Sequence, residues 1–432
     1  MTPPRRIYLD NAATSFPKPP AVYDAMMRYA RDVGASPGRG HYAESREGAR
    51  IIRDCRQQVA GFLGSGAPQN IAFTLNTSDA LNLAIKGVAR AARLRHARGG
   101  GRFGDAPLRF VTTAIDHNSV LRPLFALAEE GAVVVHVPAD PWTGVVSIDD
   151  LRAAITPGTT LAAINAVSNV TGAIQPVNEA AEVCRSMGVP CLIDGAQALG
   201  HTPLTLRDCD ADLLAFPGHK GLLGPQGTGG LFIRPGFEDR LATTREGGTG
   251  SISELDAQPD SMPERYEAGS HNTVGLAGLA EGVRWLSARG HALLRAHEAT
   301  LITQMLDALR ASGCRMHDAP ESPGPLASLR LLGPTCVDER VGTFSFVHDS
   351  LTPAELAAIL EEHFGILARA GLHCAPLAHK ALGTLPDAVG ARGALRLSMG
   401  PFTTAEDLRI AVHALCEACC DTPFQHERVK VG

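Results

Sequence analysis

The chain has 432 residues, 44% of them hydrophobic and 20% charged, a balance that excludes wholesale disorder. Its formal net charge of −5, from 40 basic and 45 acidic residues, leaves no basic field for a nucleic acid partner. No apolar run reaches the length of a membrane-spanning helix, so no membrane partner is expected.

Residues 1–6 run straight into Ile7–Asp10 with no apolar signal core. The ten cysteines are scattered rather than framed at short spacing, which predicts reduced thiols and a cytoplasmic location. From about residue 50 to 240, two kinds of segment alternate. Helical spacing covers Arg50–Leu63, Ser78–Ala92, Val120–Glu129 and Val177–Ser186. Short apolar runs at Leu108–Thr112, Val133–Val137, Leu161–Asn165, Pro190–Ile193, Leu213–Phe216 and Gly230–Ile233 read as strands. This alternation predicts an α/β fold with a mainly parallel sheet and helices on both faces. Gly99–Gly104 reads as a surface excursion, and residues 244–275 show little periodicity. An amphipathic stretch over Val274–Arg310 breaks near Gly290. Met316–Arg340 is rich in Pro and Gly and reads as a loop or insertion. A strand at Thr343–Val347, a helix over Pro353–Phe364 started by Thr352, a strand at Leu395–Ser398 and a helix over Thr404–Cys416 predict a small α+β unit.

Open parallel sheets bind ligands beyond the carboxyl ends of their strands. Four successive strand ends here lead into His117, Asn169, Asp194 with Gln197, and His219 with Lys220. A histidine after one strand is more often a surface residue, but one crevice would collect all of these. The chain has 35 Arg and only five Lys, so a lysine between glycines asks for a reason. Pyridoxal 5'-phosphate fits the set. A lysine amine forms a Schiff base with its aldehyde, and a carboxylate keeps its pyridine nitrogen protonated. An imidazole can stack on the ring, and the helix opening at Thr77 and Ser78 can cradle its phosphate. A surface lysine in a Gly-rich turn and a helix cap are the plainer readings of Lys220 and Asp194.

The most specific stretches are Asp194–Gln197 and Gly218–Gly221. Tyr8–Thr14, Phe73–Ser78, Asp116–His117, Asn169–Gly172, Glu267–Thr273 and Arg369–Pro376 stand in order along nearly the whole chain. With these residues the sequence resembles the class V aminotransferase-type, fold-type I pyridoxal-phosphate enzymes. Within them it is similar to the cysteine desulfurase and selenocysteine lyase group. The resemblance implies an N-terminal segment 1–15 packed on a small domain, a large α/β domain over 16–275, and a small C-terminal α+β domain over 276–432. It implies Lys220 as the Schiff-base lysine, Asp194 as the pyridinium partner and His117 as the stacked, catalytic imidazole. It makes Gln197 the donor to the ring's phenolic oxygen, and Thr77, Ser78 and His219 the phosphate ligands. Ser270 matches the position that reaches the phosphate of a second subunit, so a homodimer is implied. Asn169 and Arg396 resemble the binders of the substrate carboxylate, and Arg369 brackets the cysteine loop.

The sequence departs from the family in four places. Pro217 stands where a hydroxyl residue is frequent, and Ser270 where Thr is usual. The span of 22 residues from Cys374 to Arg396 is longer than in relatives, and 316–340 has no counterpart. Cys374 carries the functional expectation. Flanking arginines, Arg369 among them, and a histidine, His373, would favour a thiolate nucleophile, although any cysteine is by default a small buried hydrophobe. The expected activity is conversion of L-cysteine to L-alanine with a persulfide on Cys374, collected by a sulfur-acceptor protein. A selenocysteine lyase, an aminotransferase or epimerase, and an inactive sulfur-relay scaffold stay open. So does the acceptor: an iron–sulfur scaffold, a tRNA thiolation enzyme or a small sulfur carrier. Cys416, Cys419 and Cys420 hold a CxxC spacing with no second pair, so they read as helix-face cysteines and no metal site is expected.

Overall fold

The computed structural model describes residues 5–38, 40–249, 254, 256–385 and 393–420. Its strands are β1 (Ile7–Tyr8), β2 (Ile71–Thr74), β3 (Arg109–Thr113), β4 (Val133–Val137), β5 (Leu161–Asn165), β6 (Cys191–Asp194), β7 (Leu213–Pro217) and β8 (Gly229–Ile233). There follow β9 (Leu329–Leu332), β10 (Thr343–His348), β11 (Ile366–Leu367), β12 (Arg369–Gly371) and β13 (Ala394–Ser398). The helices are α1 (Pro20–Arg28), α2 (Ala43–Phe62), α3 (Thr77–Arg98), α4 (Asn118–Glu129), α5 (Ile148–Ala154) and α6 (Val177–Ser186). After them come α7 (Thr273–Arg289), α8 (His291–Ala311), α9 (Pro353–Phe364), α10 (Pro376–Ala381) and α11 (Ala405–Cys419).

Seven strands form one sheet in the order β2-β8-β7-β6-β5-β3-β4. All its neighbours pair parallel except those of β8, which runs against both β2 and β7. Strands β5, β6, β7 and β8 are buried at every residue. Their unbroken apolar runs follow from covering on both faces. One face packs on α2, α5 and α6 through Val59, Leu151 and Val183, and the other on α3 and α4 through Leu81, Val88 and Leu124. A separate antiparallel sheet has the order β12-β13-β10-β9. Its core joins Phe344, Phe346 and Leu395 to Leu306 on α8, Leu360 on α9 and Leu415 on α11.

The first residues cross between the units. β1 pairs parallel with β11, Ile7 opposite Ile366, and Asp10 bridges Ser398. The break expected near Gly290 divides α7 from α8, with Gly290 at φ 76°. The reading of 316–340 as loop is corrected in part. Leu329–Leu332 forms β9 and pairs with β10, burying Leu329, Leu331 and Leu332. The alternation is masked there because the run LRLL is short and hemmed in by Pro and Gly.

Candidate active site

Register aligns the strand ends. Asn165 stands opposite Asp194 in the β5–β6 pair, and Asp194 opposite Ala215 in the β6–β7 pair. The loops leaving these strands therefore open on one crevice. A cavity of about 170 Å³ lies there. Thr77 and Ser78 of α3, His117, Asn169, Asp194, Gln197, His219 and Lys220 all line it, as do Asn76, Asn165 and Ser119.

Two glycines let the walls close. A Cβ at Gly221, the residue after Lys220, would run into the Leu199 carbonyl. A Cβ at Gly229, where β8 begins, would stand 2.8 Å from Asn76 and from the Phe216 carbonyl. Asn76 is the cap of α3, and its side chain accepts the Asp79 amide. That leaves the amides of Thr77 and Ser78 at a helix start, with the positive end of the helix dipole facing the cavity.

Charges in the crevice are shifted by burial. Burial brings the Lys220 amine down to about 8, opposed by Asp194 and assisted by the Arg396 and Arg369 guanidiniums. Burial also raises the Asp194 carboxyl, although the Ala196 amide and Lys220 pull it down. His117 is pushed down to about 4, first by burial and then by Lys220 and nearby arginines, so its ring is neutral. His117 Nδ1 accepts the Ser119 amide at 3.1 Å. Nε2 therefore carries the proton. Ser119 Oγ lies 2.9 Å from His117 Nδ1 and 2.6 Å from Ser78 Oγ, joining the imidazole to the start of α3. Asp116, one residue earlier, is wholly buried. It accepts Thr112 Oγ1, Thr113 N and Thr113 Oγ1, and burial raises it to about 6. It shapes the turn that delivers His117.

The Cys374 loop docks on the same strand ends. Asn169 Nδ2 donates to the His373 carbonyl at 2.7 Å, and the Asn118 amide to the Cys374 carbonyl at 2.8 Å. The Cys374 side chain is exposed, and its Sγ is 3.7 Å from Arg369 Nη2. Arg396 is 1% exposed and does not line the cavity. Its Nη2 donates to Asp10 Oδ1 at 2.8 Å and its Nη1 to the Asn169 carbonyl at 3.0 Å. Ser270 stands apart from the others. It is exposed and lines grooves of about 490 and 250 Å³ away from Lys220.

Sequence reasoning passed over Ser119, Asn165 and Asp10. Ser119 was within reach, two residues after His117, and Asn165 closes the strand before Asn169. Asp10 lies in the stretch Tyr8–Thr14 already singled out, but its pairing with Arg396 could not be read, because that partner is 386 residues away.

The cavity suits a phosphorylated pyridine on its own loose ends. Among the described residues, His219 Nδ1, Asn169 Oδ1 and Asn165 Oδ1 are buried without a hydrogen-bond partner. Buried polar atoms of this kind call for a ligand or water. A carboxylate, a desolvated amine, a neutral imidazole and a helix start surround them. Gln197 Nε2 instead donates to the Ala12 carbonyl at 2.9 Å. Among the described residues no group of His, Cys, Asp and Glu converges to hold a metal, and no helix is long and apolar enough to cross a membrane. Among the described residues the cysteines form no disulfide. Cys416 and Cys419 are partly buried on α11, and burial raises both thiols, Cys419 to about 12.

The chain is similar to known proteins over most of its length. A protein of Methanothermobacter thermautotrophicus named "Probable cysteine desulfurase" is 32% identical over 418 residues, covering 95% of this chain and 94% of that one. A cysteine desulfurase of Yersinia pseudotuberculosis is 30% identical over 373 residues, covering 85% and 84%. The apo structure of cysteine desulfurase from Thermococcus onnurineus superposes with a TM-score of 0.83 at 30% identity, covering 95% of this chain and 94% of that one. Residues 7–410 match the family described as aminotransferase class-V. The chain belongs to that family, whose members depend on pyridoxal phosphate.

Proposed function

We propose that this protein is a cysteine desulfurase that takes sulfur from L-cysteine onto Cys374 and releases L-alanine. One observation carries the reading. An exposed thiol sits in a loop whose carbonyls are tied to Asn118 and Asn169, beside the residues that line the Lys220 cavity.

Pyridoxal phosphate, when bound, supplies an electron sink for a carbanion at the amino-acid α-carbon. Asp194 would face its ring nitrogen, His117 its ring plane, and Thr77, Ser78 and His219 its phosphate. Lys220, held near 8 by burial, carries its proton loosely enough to give and take one near neutrality. It removes the substrate α-proton. Arg396 and Asn169 orient the substrate carboxylate, Asp10 keeping the guanidinium in place. The Cys374 thiolate, beside Arg369, attacks the substrate sulfur. A sulfur–sulfur bond forms and the carbon–sulfur bond breaks, its electron pair staying with the carbon fragment. Protonation then completes alanine. The persulfide is left on an exposed residue, where an acceptor protein can collect it. Ser270, exposed and outside its own cavity, would complete the phosphate site of a second copy in a homodimer.

The deciding experiment measures sulfide, with a reductant, and alanine from L-cysteine for wild type and Cys374→Ser. Alanine and sulfide should appear together in wild type, and the serine variant should lose nearly all sulfide release. Full release by that variant would rule out the persulfide route. Turnover of other amino acids with no alanine from cysteine would favour a selenocysteine lyase, an aminotransferase or an epimerase. Lys220→Ala should abolish both turnover and the yellow colour of the holoprotein. A wild-type protein that takes up no pyridoxal phosphate would be an inactive scaffold.

A further inference from the structure

Two buried imidazoles lie under the Cys374 loop and take no part in the chemistry assigned above. His373 precedes the cysteine and is 3% exposed, and His379 on α10 is fully buried. Thr384 extends the row. Its Oγ1 is 2.7 Å from His379 Nδ1, His379 Nε2 is 3.4 Å from His373 Nδ1, and His373 Nε2 is 3.4 Å from the Arg369 carbonyl. The Arg369 end sets the direction of these bonds. A carbonyl oxygen only accepts, so His373 Nε2 carries its ring's proton. Its Nδ1 then accepts from His379 Nε2, an N–H that the Leu372 carbonyl also accepts, and His379 Nδ1 accepts the Thr384 hydroxyl, whose proton is shared with the His379 carbonyl at 3.2 Å. This order needs both rings neutral. Burial pushes His379 down to about 4, and burial together with the Arg396 guanidinium pushes His373 lower still.

The row supports an unusual backbone. Among the described residues, three other than glycine have positive φ, and two are neighbours here: His373 at 51° and Cys374 at 58°. A residue with a Cβ avoids this left-handed region and stays in it only when its surroundings over-determine it. Asn169 and Asn118 hold the two carbonyls on the cavity side. On the opposite side the imidazole row links the start of the loop, at Arg369, to the helix that follows it.

We propose that His379, acting through His373, is a positioning residue that keeps the Cys374 loop in its left-handed form against the rim of the Lys220 cavity. What the positioning achieves rests on the reading of Cys374 as sulfur acceptor; the tie itself does not. With the row broken, the loop relaxes to ordinary backbone and the thiol leaves the Arg369 guanidinium. Because Cys374 is already exposed, that release gains the thiol no access and lowers its reactivity.

The test compares His379→Leu with His379→Gln. Leucine fills the space without a donor, whereas the glutamine amide places an N–H near the position of histidine Nε2 and keeps the bond to His373. In cofactor-free protein, mass spectrometry follows alkylation of Cys374 by iodoacetamide. In holoprotein with L-cysteine, sulfide release is set against exchange of the substrate α-proton with deuterated solvent, which calls on Lys220 rather than Cys374. His379→Leu should slow alkylation and sulfide release about tenfold, the effect of one ordinary hydrogen bond, and leave proton exchange unchanged. His379→Gln should restore both losses. Wild-type alkylation in His379→Leu, or equal damage in His379→Gln, would overturn the proposal and reduce His379 to packing. If His379→Leu does not fold, Thr384→Val decides: slower alkylation supports the row, and an unchanged rate overturns it. Should Cys374→Ser release sulfide normally, the acceptor reading fails, while alkylation still judges the positioning.

Discussion

Glu267 ties together three parts of the chain that are distant in sequence. Its carboxylate accepts Arg56 Nη1 and Nη2 at 2.7 and 2.9 Å and the Phe73 amide at 2.6 Å, while the Arg56 guanidinium lies 4.5 Å from the centre of the Phe73 ring. The pair is almost wholly buried, with side-chain exposures of 9% and 4%. Burial alone would raise this carboxyl; His271 and Arg56 outweigh it and hold it below the usual glutamate value. Breaking such a pair leaves an unmatched buried charge, so Glu267→Ala should cost about 3–5 kcal/mol. A carboxyl depressed by folding contributes stability above its unfolded value and loses it as pH falls through its folded value. The gap between wild type and variant in urea unfolding should therefore be wide at neutral pH and close on acidification. A gap independent of pH would mean that the carboxylate is not ionised in its pair. The same residue anchors the loop that presents Ser270, so the variant should also impair any dimer that needs that loop.

Two glycines separate backbone strain from steric fit at the level of whole elements. Gly290 joins α7 to α8 at φ 76° and ψ 148°, and a Cβ there would meet nothing within 4 Å. Gly290→Ala should lose about 1–3 kcal/mol from backbone strain alone and leave cofactor affinity untouched. Gly229→Ala pushes a Cβ against Asn76, the cap of α3, so it should lower affinity for pyridoxal phosphate as well as stability. Equal cofactor affinities in titrations of the two variants would contradict the placing of the phosphate at the start of α3. The Gly290 break was legible because apolar spacing fails on either side of it, and the buried strands were legible because coverage on both faces demands unbroken apolar runs. β2 was not read, although Ile71–Thr74 is wholly buried, because four residues pinned between α2 and α3 show no period. The candidate cluster was legible where chemistry is rare in the chain, as with Lys220, and where strand ends align, as with Asp194, both of which line one cavity. It read poorly where partners meet only in three dimensions. Arg396 looks like a free fork in sequence, yet Asp10 occupies part of it.

At the scale of the whole molecule, one ion pair fastens the two cores. His201 Nδ1 lies 2.9 Å from Glu298 Oε1 on α8, and the same oxygen accepts the Gly342 amide at 2.9 Å just before β10. Burial lowers His201, but Glu298 outweighs it and the imidazole is raised; burial raises Glu298, but His201 outweighs it and the carboxyl is lowered. A histidine raised by folding contributes fully below its unfolded value and loses that contribution as pH rises through its folded value. The glutamate contribution is present above its unfolded value and is lost as pH falls through its folded value. The fastening is thus strongest in mildly acid solution, between the ordinary glutamate and histidine values. His201→Gln should cost about 1–3 kcal/mol there and progressively less as the medium turns alkaline. Melting temperatures of both proteins across that range would check it, and parallel curves would count against a charged His201.

The pairing of β1 with β11 also has a consequence for how the chain is made. A ribosome delivers residues 7–10 more than 350 residues before Ile366 and Ser398, which receive them. The seven-stranded sheet is complete once Ile233 has appeared, so it can close while the leading segment still has no strand to join. Asp10 then reaches Arg396 across 386 residues only as a late event. The nascent protein therefore acquires its Lys220 cavity walls before it acquires the ion pair that steadies Arg396, and if Arg396 holds a substrate carboxylate as proposed, competence to bind one comes late.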